Sequence, residues 1–198
     1  KTVWRVVEAQ HRISTNRLAE NFEDQARLEE LAEVAKPDLP KSAQGLHYLL
    51  ASPFRYGHKS PSRFRRANER PGIFYASEAE ATAIAETAYW RLRFFSRSPG
   101  FVPGNRTSEH LSFSVAVSTS RAVDLSRPPF DAQASDWTHL DDYKACQDFA
   151  DVARKADAQL IRTVSVRDPD AGYNSAIFDP SIFAGKTPDY RQTWHFRF

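Results

Sequence analysis

The period of apolar and polar positions changes several times along the chain, and each change marks an element. Residues 110–125, HLSFSVAVSTSRAVDL, alternate: Leu111, Phe113, Val115 and Val117 fall on one side, serines or alanine on the other. A period of two predicts one half-buried strand. TVWRVVEA, residues 72–76, AQLIRTVSV, NSAIFD and YRQTWHFRF also read as strands. Helical spacing appears in NFEDQARLEELAEVAK, which ends before Pro37, and in AQGLHYLLASP, which Pro53 is expected to stop. Residues 141–156 form a further predicted helix, with Tyr143, Cys146, Phe149, Ala150 and Ala153 apolar. Residues 52–71, 96–108 and 126–137 read as loops. The chain shows neither an internal repeat nor a dividing linker. Strands and helices interleave irregularly, which predicts a single α+β domain rather than a doubly wound sheet.

Residues 78–95 predict a helix opened by a capping box, Ser77-x-x-Glu80. On a helical wheel Ala81, Ile84, Ala85, Ala88 and Leu92 form an expected core stripe. A second stripe holds Ala79, Ala83, Glu86 and Trp90. Glu86 is therefore a carboxylate among small and aromatic neighbours, where a lone charge is costly. Two outcomes are open: a salt bridge to one of the arginines, or a carboxylate facing a pocket beside the basic loop.

With 198 residues and 41% hydrophobic content, one domain with a real core is expected. The net charge of +2 supplies no global field to hold nucleic acid. Positive charge is instead local. Arg55, His58, Lys59, Arg63, Arg65, Arg66 and Arg70 face Glu69 alone. A single cysteine, Cys146, excludes a disulfide framework or a cysteine zinc site and fits a reducing cytoplasm. No apolar run approaches the ~20 residues of a membrane span, and no signal-peptide pattern is seen. Position 1 is not methionine, so the start is expected to be trimmed or renumbered. One non-enzymatic reading stays open: an RNA- or partner-binding module in which Phe64 and Tyr56 interleave with the arginines.

SRFRR…GIFYAS…TAIAE, IRTVSVRDPDAG and AIFDP together resemble the RES-domain toxins of bacterial RES–Xre toxin–antitoxin pairs. VWRVVEAQHRISTNRL, SPFRYGHKSPSRFRR, AYWRLRFF and QTWHFRF are similar to the ParT-type branch, and the resemblance spans nearly the whole chain. It implies a fold like that of ADP-ribosyltransferase toxins, a split β core around an NAD+ cleft, with residues 1–52 as an N-terminal strand and helical elaboration and residues 53–198 as the cleft core. It implies a cytoplasmic enzyme that cleaves the nicotinamide–ribose bond without a metal. ADP-ribose would pass to a protein, such as an enzyme of nucleotide biosynthesis, or to water or phosphate, which would deplete NAD+. The implied partner is an Xre-like helix-turn-helix antitoxin that blocks the cleft; no nucleic acid is bound directly and no membrane is involved.

Carried over residue by residue, the resemblance matches the family arginine to Arg63, with Arg65 as a competitor. It matches the tyrosine to Tyr75, the glutamate to Glu86 and the serine to Ser165, where Val164 stands in place of a common proline. His58 is a further pocket candidate. The chemistry suits these residue types. A guanidinium binds diphosphate oxygens as a fork, and an aromatic ring packs on the flat nicotinamide. A carboxylate stabilises the positive charge that develops on ribose as the bond breaks, and a hydroxyl holds the dinucleotide in register. Arg167 is expected to pair with Asp168 or Asp170. Trp4, Trp90, Trp137 and Trp194 are expected in packing roles.

Overall fold

The computed structural model describes residues 1–9, 21–100 and 107–197. Its elements run β1 (Thr2–Glu8), α1 (Phe22–Val34), α2 (Tyr48–Arg55), β2 (Phe74–Ser77), α3 (Glu80–Ser96), β3 (Thr107–Ala116), β4 (Ala122–Asp124), α4 (Ala134–Thr138), α5 (Lys144–Lys155), β5 (Leu160–Val164), β6 (Tyr173–Ile177) and β7 (Tyr190–Arg197). The strands form one seven-stranded sheet in the order β4-β5-β6-β2-β1-β3-β7. Among the described residues only β4 and β5 pair in parallel. This is the α+β domain predicted from the interleaving. The stretch HRISTNRL, which contributes to the family resemblance, lies outside the described residues, as do residues 101–106 of the loop expected at 96–108.

Each face of the sheet carries its own apolar layer. On one face α2 brings Leu50 and Phe54 against Val3, Phe74, Phe113 and Ile177. Phe74 is fully buried and meets the rings of Phe54, Phe113 and Phe183. On the other face the predicted apolar stripe of α5, with Cys146, Ala150 and Ala153 buried, covers Ile161 and Ala176. Burying side chains on both faces of the central strands supplies most of the hydrophobic free energy.

The sheet has a seam. β1 runs in register with β3 from Thr2 to Glu8, yet it meets β2 at a single registered pair, Trp4 opposite Ser77. Beyond that pair the two strands part. The Arg5 side chain enters the gap, and its Nη1 donates to the Tyr75 carbonyl at 2.6 Å. The split β core is thus one sheet opened along one joint. β1, from the segment expected as an N-terminal elaboration, lies in mid-sheet.

Several local expectations are corrected. α2 runs through Pro53 to Arg55, because burial of Leu50, Ala51 and Phe54 holds its last turn. The capping box does not form. Ala79 is the N-cap, without a side-chain bond. Ser77 is still in β2 and donates to Asn174, while Glu80 accepts from Ser112 and Trp194. Residues 110–125 are two strands, not one. After Val117 the chain crosses to the opposite edge of the sheet, where β4 pairs with β5. The alternation in β3 is real, but its polar side is covered as well. His110, Ser112 and Ser114 are all buried, because α3 lies over that face and supplies the Glu80 carboxylate. The expected core stripe of α3 faces outward at both ends: Ala81 is exposed and Leu92 is 57% exposed, whereas Thr82 and Ala83 are buried. Within residues 126–137, read as loop, lie a short 3-10 turn and most of α4. Trp137 is buried there, as a packing role requires, while Trp90 is half exposed.

Candidate active site

The parting of β1 from β2 opens a cavity of about 530 Å³ on the α3 face of the sheet. That volume suits a drug-sized or dinucleotide ligand. Ala83, Glu86, Thr87, Trp90, Arg91 and Phe94 line it from α3, at helical spacing. The second wheel stripe is therefore the one that faces the site. Tyr75, Asn174, Ala176 and Thr163 contribute from β2, β6 and β5, Ser62, Arg63 and Phe64 from the basic loop, and Trp4 to Glu8 from β1.

Glu86 makes no ion pair among the described residues. Its Oε1 accepts two hydrogen bonds, from Ser165 Oγ at 2.7 Å and from Asn174 Nδ2 at 2.6 Å. The salt-bridge alternative is thus not what the structure shows; neutral donors hold the carboxylate and leave its charge uncancelled. Ser165 is buried, and its Oγ also accepts the backbone N–H groups of Arg167 and Asp168. Its single proton is therefore directed at Glu86. Ser165 is not among the cavity-lining residues, so it acts behind Glu86 instead of touching a ligand. A latch fixes the same turn to α3. Thr82 Oγ1 donates to Asp168 Oδ2 at 2.6 Å, and that bond holds the Asp168 carboxyl below the usual carboxylate range. Gly172 lies against the latch, where a Cβ would collide with Thr82 Oγ1.

The two candidate arginines separate cleanly. Arg63 lines the cavity, donates to the Trp137 carbonyl at 2.8 Å and stacks 4.8 Å from the Tyr143 ring centroid. Arg65 is 4% exposed and donates to the carbonyls of His58, Ser60 and Arg66. It staples the basic loop and does not reach the cavity. His58 borders a different cavity, about 720 Å³, at α2 on the other face, and Arg5, lying in the seam, borders both cavities. Arg66 is engaged with Asp148 and Asp151. Of the basic run, Arg65 is therefore consumed internally and Arg66 by surface carboxylates, while Lys59 and Arg70 stay exposed. Arg167 pairs with neither Asp168 nor Asp170; it donates to the Leu140 carbonyl and stacks on Tyr89.

Tyr75 lies on the cavity wall. Its hydroxyl accepts from the Phe64 amide at 3.1 Å and shares a 2.8 Å bond with Ser62, and burial pushes the phenol's pKa up. It therefore anchors the loop that carries Arg63. Two site residues were missed. Asn174 is one. Arg5 is the other: burial pulls its guanidinium down to about 10, its Nε is buried without a partner, and no carboxylate pairs with it among the described residues. A buried cation without a counter-ion at the rim of a cavity is suited to an anionic ligand. Only its place inside an apolar strand, VWRVV, signals this in the sequence.

A family model described as the RES domain matches residues 39–198. The chain belongs to the RES-domain family. Its fold resembles a chain in the crystal structure of the M. tuberculosis MbcT–MbcA toxin–antitoxin complex, with a TM-score of 0.53 at 12% identity, covering 100% of this chain and 84% of that one. No curated protein matches the sequence. The match takes in β2, α3, β5 and β6, so the Glu86 site lies inside the family region; β1, which carries Arg5, precedes it.

Proposed function

We propose that this RES-domain protein is the toxin of a toxin–antitoxin pair, and that it cleaves NAD+ at the nicotinamide–ribose bond and transfers ADP-ribose to a protein acceptor. One observation carries the reading: an acidic side chain held by neutral donors and unneutralised guanidinium groups border one dinucleotide-sized cavity. Arg5 and Arg63 would meet the diphosphate. Tyr75 holds the Arg63 loop and offers a ring face to nicotinamide. As the bond from ribose C1′ to nicotinamide nitrogen breaks, its electron pair leaves with nicotinamide, and Glu86 stabilises the positive charge left on the sugar. The acceptor's nucleophile then bonds to C1′ and passes its proton to the Glu86 carboxylate. Ser165 orients Glu86. Arg65 and His58 have no place in this scheme.

Arg65 is buried on three carbonyls and Arg66 is tied up in a surface ion pair, which counts against an RNA-binding module built on these two. Among the described residues no helix is long and apolar enough to cross a membrane, and a cytoplasmic enzyme is proposed. An Xre-like helix-turn-helix antitoxin is the proposed partner, covering the cavity mouth. Labelled NAD+ incubated with the protein and cell extract is expected to mark a protein band and to release nicotinamide, with both lost in Glu86→Ala. Free ADP-ribose or its phosphate ester without a labelled band would instead assign water or phosphate as acceptor. No turnover at all would overturn the enzymatic reading.

A further inference from the structure

We infer that Asn174, with Ser77 behind it, is a positioning residue that decides which oxygen of Glu86 faces the reacting sugar. The inference rests on the NAD+-cleavage reading and deepens it. Asn174 lies in β6 in register with Ser77 of β2 on one side and Thr163 of β5 on the other. The buried Ser77 hydroxyl donates to Asn174 Oδ1 at 2.7 Å. The carboxylate, which only accepts, takes the Nδ2 end of the amide at 2.6 Å from Glu86 Oε1, and the Ser77 hydroxyl holds the Oδ1 end in place. Turned over, the amide would set its oxygen against the carboxylate, acceptor against acceptor.

Ser165 closes the clamp from the turn after β5, at 2.7 Å from the same Oε1. A carboxylate on a helix is thereby tied to two separate parts of the sheet layer. Oε2 has no hydrogen bond among the described residues and is the oxygen left for a ligand. All the donors are neutral. They orient the carboxylate without cancelling the charge that must oppose the cation developing on ribose, whereas a guanidinium in the same place would cancel it.

The test compares Asn174→Ala, Asn174→Asp, Ser77→Ala and Ser77→Thr with the wild-type chain. Asn174→Ala is expected to lower kcat for nicotinamide release by about 10- to 100-fold, the range for losing a hydrogen bond to a charged group, with KM and melting temperature little changed. Asn174→Asp is expected to lower kcat at least as far, because an acceptor then faces an acceptor. Ser77→Ala is expected to lower kcat less, and Ser77→Thr, which keeps the hydroxyl, to restore it. A kcat for Asn174→Ala near that of the wild type, or a loss confined to KM, overturns the proposal. A second readout is independent of turnover. In 15N-labelled protein the Asn174 side-chain amide signals are expected to move in both Glu86→Ala and Ser77→Ala. If they stay in place the relay does not exist, whatever the kinetics. If the wild-type chain releases no nicotinamide, the NAD+ reading fails while the amide signals still decide the relay.

Discussion

Replacing Arg5 by methionine separates ligand binding from folding in an unusual direction. In the folded protein its guanidinium is pulled down to about 10 by burial. At about 1.4 kcal/mol per tenfold change in proton affinity, that corresponds to about 3 kcal/mol of disfavoured charge. Because the folded-state value is depressed, this destabilisation is present in full below about pH 10 and is relieved only where the group loses its proton. Methionine removes the charge and keeps most of the packing over Phe74, where the guanidinium now lies 5.0 Å from the ring centroid. It also leaves the Tyr75 carbonyl without its 2.6 Å donor, a cost of about 1–3 kcal/mol. The two effects nearly cancel, so the ligand-free melting temperature should stay within a few degrees or rise. Binding should behave oppositely. Losing a charge-assisted phosphate contact is worth about 10- to 100-fold in Kd. At NAD+ near 100 times the parental Kd, ligand stabilisation falls from about 2.7 kcal/mol to between about 0.4 and 1.4 kcal/mol. For a chain of this size, a parental shift of about 5–10 °C then becomes about 1–5 °C. Thermal unfolding with and without NAD+, in a Glu86→Gln background so that ligand is not consumed, reads both quantities. A full NAD+ shift in Arg5→Met, or a collapse of the ligand-free protein by more than about 10 °C, would refute the reasoning.

Glu86→Gln should lower nicotinamide release by about 100-fold or more while the melting temperature holds, since glutamine keeps the volume and an acceptor oxygen; release within tenfold of the parent would remove Glu86 from the chemistry. Arg65→Met should act on stability alone: urea unfolding should show a loss of about 2–4 kcal/mol from the orphaned carbonyls, and NAD+ affinity of the folded protein should be unchanged. Phe74→Ala should cost about 3–5 kcal/mol in the same assay, the range for emptying a fully packed phenylalanine site. Burial, with Arg91 nearby, holds His110 below the ordinary imidazole range, although Glu8 and the Ser108 carbonyl act the other way. The unfolded chain therefore takes up the proton first, and stability should fall as pH drops below about 6.5. A melting-temperature series from pH 8 to 5 should fall less steeply in His110→Gln.

The sequence was most legible where one local rule decides. The apolar stripe of α5 and the α+β interleaving needed only periodicity. Glu86 stood out because its stripe held small and aromatic residues, and that stripe does face the cavity. The misread polar groups share one cause, partners that are distant in sequence. Ser77 and Glu80 had the spacing of a cap, but Asn174, Ser112 and Trp194 compete for them across strands and win. Arg63 and Arg65 look equivalent in a basic run. Only the fold turns one to the cavity and the other onto three carbonyls. Arg5 was invisible because a strand residue discloses its face only once register is known, and a seam between β1 and β2 has no one-dimensional trace.

Gly172 carries no functional group, yet it sets the distance between helix and sheet. A single methyl there would wedge against Thr82, lift the start of α3 and draw the Glu86 carboxylate, about one helical turn further on, out of its socket. Tolerance to substitution in this protein should therefore be lowest not only along the cavity wall but at a bare stretch of backbone that acts as the fulcrum of α3.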